Sequence, residues 1–216
     1  MELSGLEWWQ LVIAVVVGYL IGSISPATIA AKRAGIDLAH EGSGNPGATN
    51  AARTLGRRTG VIVGVLDVLK GLLPAVFFTW AMDAPAAGEA AAFAAVIGHI
   101  TSPWLHGRGG KGAATTLGAL LGTHPEWLLW LLPAFAVGYL VFRRVGMGVV
   151  VAALTLVMMG VFTIGSTRDS RVFAVALGLL VLSRHWQNIA RYVTGRRSDD
   201  DEFGSAGDVK DSAEER

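Results

Sequence analysis

The chain has 216 residues, of which 52% are hydrophobic and 16% are charged, against roughly 25% charged residues in soluble proteins. Cysteine is absent, which excludes disulfides and thiolate metal sites. The formal net charge of +1 indicates no class of partner by itself, and we expect no nucleic acid, metal or cofactor.

Seven apolar segments follow one another and predict an all-α integral membrane protein with a seven-helix transmembrane bundle. They cover about residues 8–31, 59–82, 87–105, 112–121, 126–142, 148–164 and 172–189. A spanning helix needs about 20 largely apolar residues, and the fourth segment has only about ten. It is expected to tilt, to extend beyond these bounds or to re-enter, so full spanning is not predicted for it. A soluble protein with buried helices is the alternative, and the number of long apolar segments argues against it.

Lysine and arginine collect in alternate loops, which predicts the orientation of the bundle. The first, third and fifth loops and the region after the last segment are basic, whereas the N-terminus and the second and fourth loops lack Lys and Arg. Cytoplasmic loops collect these residues, so we expect the N-terminus outside and the C-terminus in the cytoplasm. This requires an odd number of crossings, satisfied by seven or by five with two re-entrant segments. The sixth loop, with Arg168 and Arg171, is the exception.

Two further patterns concern the organisation of the chain. Residues 1–194 are predicted to form the membrane-embedded domain, and residues 195–216 a disordered acidic cytoplasmic tail that is too polar to fold alone. Pairs of glycines four residues apart favour close helix contacts, with chance as the alternative in a chain of 28 glycines. These pairs are Gly18 with Gly22, Gly60 with Gly64, and Gly118 with Gly122.

The first polar cluster, GSGNPGATNAAR, covers residues 42–53 on the predicted cytoplasmic side. Its glycines allow backbone conformations closed to other residues, and the guanidinium of Arg53 is a planar cation suited to phosphate. An ordinary turn-rich loop is the alternative. The candidate phosphate-binding residues are Ser43, Gly44, Asn45, Thr49, Asn50 and Arg53.

The second cluster, HGRGGKGAATTLG, covers residues 106–118. Backbone N–H groups on a glycine turn that leads into a helix form an anion site, here with Gly109, Gly110, Lys111 and the hydroxyl of Thr115 as candidates. The spacing differs from a Walker A loop, so no nucleotide is implied. A tight cytoplasmic turn, with Arg108 and Lys111 serving only topology, is the alternative.

The third cluster, SRHWQNIAR, ends the last apolar segment. His185 and Asn188 are three residues apart and share a helix face; the imidazole can exchange a proton, and the amide can donate to an oxyanion. A structural role for His185 is the alternative. Within the second segment, Asp67 and Lys70 are either an internal ion pair or, for Lys70, part of a substrate pocket.

In order along the chain, GSGNPGATN, DVLKG, GHITSPWLHGRGGKGAAT and RHWQNIAR resemble the motifs of the bacterial acyl-phosphate:glycerol-3-phosphate acyltransferase family (PlsY). The resemblance runs from about residue 22 to residue 191. None of the histidines is followed by Asp five positions on, so the His-x4-Asp pair of many other acyltransferases is missing, as it is in this family.

The resemblance implies a seven-helix enzyme of the bacterial inner membrane with its active site on the cytoplasmic side. It would transfer a fatty acyl group from acyl phosphate to the 1-hydroxyl of sn-glycerol 3-phosphate, without a metal or cofactor, as the first step of phospholipid synthesis. Ser43 and Arg53 would bind phosphate, as would Lys111 with the backbone of Gly109 and Gly110. His185 and Asn188 would complete the site. On the residues alone, a transporter for a phosphorylated solute is the competing interpretation.

Overall fold

The computed structural model describes residues 8–162 and 167–195, and every regular element in these two ranges is helical. The predicted acidic tail beyond residue 195 lies outside the described residues. The helices are α1 (Trp8–Ser23), α2 (Pro26–Arg33), α3 (Ala48–Leu55), α4 (Arg57–Val76), α5 (Pro85–Ile100), α6 (Ala113–Thr123), α7 (Leu128–Phe142), α8 (Val145–Phe162) and α9 (Arg168–Val193). A π-helical turn, Phe77–Ala81, continues α4, and short 3-10 turns, Pro103–Leu105 and Pro125–Trp127, precede α6 and α7.

Five stretches of the described residues are long and apolar enough to cross a membrane. They are Trp8–Arg33, Arg57–Ala81, Pro125–Phe142, Val145–Phe162 and Arg168–Val193. The other two predicted segments form α5 and α6, with 16 and 11 residues. At about 1.5 Å per residue, these helices are only about 24 Å and 16 Å long, below the ~30 Å thickness of the hydrocarbon core. The multi-pass character is therefore confirmed, and the count of seven crossings stays a prediction.

The first apolar segment, residues 8–31, is divided between two helices. The chain leaves α1 after Ser23 and starts α2 at Pro26, where the ring occupies the first helical position and lacks an N–H. Ser25 caps α2 by accepting a hydrogen bond of 3.3 Å from the amide of Thr28. The following loop contains α3, a helix that the sequence patterns did not predict.

The core lies between α5, α6, α8 and α9, where Val96, Leu120, Leu156 and Leu177 are at most 2% exposed. Other helices lie around this core with apolar side chains on the outside. Residues such as Val12, Ile62, Leu129 and Val172 are large, hydrophobic and exposed. Apolar exposure on this scale fits a surface covered by lipid.

Small residues bring the helices together as predicted from the glycine pairs. A Cβ at Gly18 or Gly22 would overlap the backbone of Ala91 or Ala95 on α5. Three of the other four glycines contact a neighbouring helix in the same way: Gly60 lies against Ala52, Gly118 against the carbonyl of Val68 and Gly122 against Ala75. These contacts confirm the small-residue interfaces.

Arg171 explains part of the exception to the alternation of basic loops. Its guanidinium donates to the carbonyl of Gly160 at 3.1 Å and to that of Val161 at 3.4 Å. It therefore ties the start of α9 to two carbonyl groups near the end of α8.

Candidate active site

A polar cavity opens at one end of the bundle, where the three polar clusters meet. Its walls come from the loop before α3, the first turns of α3, α6 and α8, and the last part of α9. Its predicted site residues are Ser43, Asn45, Thr49, Asn50, Lys111, His185 and Asn188. Four further charged or titratable residues also line it, namely Asp67, His99, Arg144 and Arg191.

Lys111 and Asn188 link the second and third clusters directly. The ammonium of Lys111 donates to the Oδ1 atom of Asn188 at 2.8 Å, although the residues are 77 positions apart. Gly146, in the first turn of α8, lies against the amide of Asn188 and leaves no room for a Cβ. The amide is thus held between α8 and Lys111.

Asn50 holds the loop of the first cluster in shape. Its Oδ1 atom accepts from the amide of Ser43 at 3.0 Å, and its Nδ2 atom donates to the carbonyl of Glu41 at 3.0 Å. The Asn50 side chain is only 1% exposed, so its hydrogen bonds mainly stabilise the loop. It affects a bound ligand by fixing the position of Ser43.

Three helix N-termini line the cavity. The lining includes Ala48 to Asn50 of α3, Gly112 to Ala114 at the start of α6, and Val145 to Met147 of α8. Neither α3 nor α6 has a side chain that caps its N-terminus. The first N–H groups of a helix lack intrahelical partners, and its dipole is positive there. The cavity is therefore suited to anions such as phosphate.

The backbone amides of Gly109 and Gly110 donate hydrogen bonds within the protein. Gly109 donates to the carbonyl of Ile100 at 3.0 Å, and Gly110 to that of His99 at 3.1 Å. Neither glycine lines the cavity. The unpaired amides of this cluster instead belong to the first turn of α6, three residues further on. Thr115 is fully buried where α6 packs on Gly71, also outside the lining.

His185 is buried in α9 and has a defined tautomer. Its Nδ1 atom lies 2.9 Å from the carbonyl oxygen of Val181, so this nitrogen carries the proton and donates to it when the ring is neutral. The Nε2 atom is then the acceptor. The ring lines the cavity and is 3% exposed. Its Nε2 atom is therefore suited to accept a hydrogen bond from a substrate hydroxyl.

The remaining candidates lie beside the cavity rather than in its lining. Lys70 is 2.9 Å from Asp67 and donates to the carbonyl of Ile24 at 2.8 Å, which agrees with the internal ion pair. Gly44, with a φ of 68°, belongs to the loop before α3. Arg53 is on α3, with its guanidinium next to Gly42 of the same loop.

Two cavity arginines were not among the predicted site residues. Arg144 lies in the turn between α7 and α8, with its guanidinium 5.6 Å from the centre of the Tyr192 ring. Arg191 is one turn beyond Asn188 on α9. The sequence signal for both was the clustering of basic residues in cytoplasmic loops, which indicated orientation and carried no information about the cavity.

Comparisons with known proteins all point to one family, and the match covers the membrane domain. The sequence profile of the family called Glycerol-3-phosphate acyltransferase matches residues 12–195. A relative of that name from Endomicrobium trichonymphae is 36% identical over 183 residues, which cover 84% of this chain and 92% of the relative.

Two crystal structures share the fold. Both are of PlsY, an integral membrane glycerol 3-phosphate acyltransferase, one in its glycerol 3-phosphate form and one in its lysophosphatidic acid form. The first is 34% identical with a TM-score of 0.78, covering 87% of this chain and 94% of that chain. The second is 33% identical with a TM-score of 0.76, covering 87% and 93%.

Proposed function

This chain belongs to the glycerol-3-phosphate acyltransferase family and is a multi-pass membrane enzyme, and from this premise we propose its reaction. It transfers a fatty acyl group from acyl phosphate to the 1-hydroxyl of sn-glycerol 3-phosphate, giving lysophosphatidic acid and inorganic phosphate. The observation that carries the proposal is the convergence of Lys111, Asn188 and His185 with three helix N-termini on one cavity.

Both substrates carry phosphate groups, which repel each other when they approach. The ammonium of Lys111 and the guanidinium groups of Arg144 and Arg191 surround the cavity and offset this repulsion. The helix N-termini add N–H donors that need no rearrangement. In this proposal Ser43, Asn45 and Thr49 bind phosphate from the loop side, and Arg53 supports them from α3. Holding two reactants in contact lowers the barrier by up to several kcal/mol, about 7 in well-oriented cases.

The acyl transfer is direct. The oxygen of the 1-hydroxyl attacks the carbonyl carbon of acyl phosphate, and a tetrahedral oxyanion forms. The bond between that carbon and the phosphate oxygen then breaks, and phosphate leaves with the electron pair. The amide of Asn188 and backbone N–H groups stabilise the oxyanion, a contribution of about 3–4 kcal/mol for one well-placed donor.

A substrate phosphate accepts the hydroxyl proton, because acyl phosphate is already activated and the demand on a protein base is small. The Nε2 atom of His185 orients the hydroxyl during this step. The acyl chain remains among the lipid-facing helices, since each buried CH₂ is stabilised there by about 0.8 kcal/mol. No acyl-enzyme forms on Ser43 or on any other side chain.

The membrane is the bacterial inner membrane, and the cavity faces the cytoplasm. Lys32 and Arg33 end α2, and Arg108 and Arg143 lie between helices. In the sequence pattern these basic residues fall in the first, third and fifth connections, and such residues mark the cytoplasmic face. Glycerol 3-phosphate is a charged, water-soluble molecule, so a cavity open to the cytoplasm is accessible to it.

The decisive experiment uses the full chain, purified in detergent, with acyl phosphate and glycerol 3-phosphate. We expect release of inorganic phosphate and formation of lysophosphatidic acid only when both substrates are present. A transporter would form neither product. With acyl-CoA in place of acyl phosphate, product formation at an equal rate would contradict the proposed donor. A labelled acyl group bound covalently to the protein after quenching would contradict direct transfer.

A further inference from the structure

A buried charged group lies beneath the cavity and has no role in the mechanism above. Asp67, Lys70 and His99 are 2%, 6% and 7% exposed. Asp67 and His99 line the cavity floor, whereas Lys70 does not. Charges in a membrane segment are costly, so a function beyond filling space is expected of this group.

The three side chains are connected to each other and to a fixed point of the fold. The Oδ1 atom of Asp67 lies 2.9 Å from the ammonium of Lys70 and 3.6 Å from the Nδ1 atom of His99. Lys70 in turn donates to the carbonyl of Ile24, at the break between α1 and α2. The carboxylate therefore lies beside Lys70 and faces the Nδ1 atom of the imidazole, at a distance longer than a hydrogen bond.

The other side of His99 faces the loop that carries Lys111. Gly110 lies so close to the imidazole ring that a Cβ there would overlap the Nε2 atom. The carbonyl of His99 also accepts from the amide of Gly110 at 3.1 Å. The next residue is Lys111, whose ammonium reaches Asn188 at 2.8 Å. A shift of the ring would consequently shift the backbone that carries Lys111.

We propose that His99, oriented by Asp67, is a positioning residue that sets Lys111 against Asn188. This inference rests on the proposed function, because it assigns Lys111 to the phosphates. His99 acts through the loop. The imidazole ring occupies the space that a side chain at position 110 would need, which explains why this position of the loop is a glycine.

The test compares His99→Gln in two backgrounds, the wild-type chain and Lys111→Arg, by steady-state acyl transfer. In the wild-type background we expect kcat/KM to fall by roughly 10²-fold, the order of effect that a misplacement of about 1 Å produces. In the Lys111→Arg background the side chain at 111 is already misplaced, so the same change is expected to cost less than about threefold. Coupling of this kind is what contact through a shared backbone produces.

His124→Gln is the matched control, because the half-buried His124 also pairs with a carboxylate of α5, at the far end of the bundle, 2.7 Å from Glu89. It is expected to lower the melting temperature and to leave kcat/KM unchanged. If His99→Gln costs the same factor in both backgrounds, His99 is only structural and the inference is wrong. If His99→Gln does not fold, Gly110→Ala makes the same comparison, since its Cβ displaces the ring while the imidazole is kept. An inactive wild-type chain would instead contradict the proposed function.

Discussion

Two kinds of contact determine the position of Lys111, one made by its side chain and one made by the backbone that precedes it. Its ammonium donates to a neutral amide, that of Asn188, at 2.8 Å, and this contact helps to fix the side chain at the cavity. Its backbone follows two glycines whose amides are bound to the end of α5. A cation in this arrangement is pre-organised for an anion that arrives in the cavity, since little further ordering is required.

Lys111→Ala is expected to lower kcat/KM for acyl transfer by at least about 10²-fold, because it removes a charged donor from the reacting phosphates. The melting temperature should stay close to that of the wild-type chain, since the ammonium ends in the cavity. The measurement is steady-state kinetics together with thermal unfolding in detergent. Lys32→Ala, which removes an exposed lysine of α2, is the matched control with near-normal activity. Near-normal activity of Lys111→Ala would exclude its role at the phosphates.

The sequence predicted Lys111, His185 and Asn188 as one site but not the roles of their neighbours. Residue type and spacing identify a cation, an imidazole and an amide that can share a site. They do not reveal that the amides of Gly109 and Gly110 are bound to carbonyl groups of α5, because those carbonyls become neighbours only after folding. Arg144 was not predicted in the cavity for the same reason.

Helices were predicted wherever a long apolar run exists, and the structure shows how local chemistry divides a run. Pro26 ends the first run early and starts α2, since proline fits the first turn of a helix better than its interior. Conversely, α3 has only eight residues and little apolar character, so no apolar run marks it. Its burial against α4 at Gly60 is what stabilises it.

The contact between α1 and α5 depends on the absence of side chains at Gly18 and Gly22. Gly22→Leu is expected to destabilise the bundle by about 1–3 kcal/mol or more, because the new side chain would overlap the backbone of Ala95. Val15→Leu, at an exposed position of the same helix, is the matched control with little effect. Thermal unfolding of both variants in detergent makes the comparison. An equal stability of the two variants would show that α1 and α5 are not packed closely.

The far end of the bundle contains a cluster that ties α5 to the turn after α6 and to α9. Glu89 accepts from the hydroxyl of Ser170 at 2.6 Å and contacts the Nε2 atom of His124 at 2.7 Å. Glu126 lies 3.3 Å from the Nδ1 atom of His124, and the ring stacks on Trp127 at 4.0 Å. Burial by itself lowers the pKa of His124, but the hydrogen bonds and charges of Glu89 and Glu126 outweigh it and raise the pKa above the usual 6.5.

This raised pKa predicts a pH dependence of stability. Because the folded pKa of His124 exceeds the unfolded value, the stabilisation is complete below the unfolded value of 6.5 and is lost as the pH rises through the folded value. The melting temperature of the wild-type chain should therefore fall, relative to that of His124→Gln, as the pH rises above 6.5. Parallel melting curves for the two proteins across this range would contradict the prediction.

The two ends of the molecule differ in a way that bears on its orientation. One end contains the polar cavity with Lys111, Arg144 and Arg191, and the other contains the Glu89 and His124 cluster. Helix α6, which connects the two ends, has only 11 residues. We therefore expect that the bilayer is thinner around α6 or that the ends of this helix lie below the membrane surface. The orientation of the bundle, rather than the number of its spans, decides whether cytoplasmic substrates reach the cavity.

The absence of cysteine allows a direct test of orientation. Arg33→Cys places a thiol at an exposed position at the end of α2, and Glu126→Cys places one at an exposed position in the turn before α7. In intact cells with a permeable outer membrane, a maleimide that cannot cross the inner membrane should label only the cysteine at 126. The cysteine at 33 should react only after the inner membrane is opened, because basic loops stay in the cytoplasm. The reverse labelling would place the cavity outside, where cytoplasmic glycerol 3-phosphate does not reach it, and would thereby contradict the proposed function as well as the orientation.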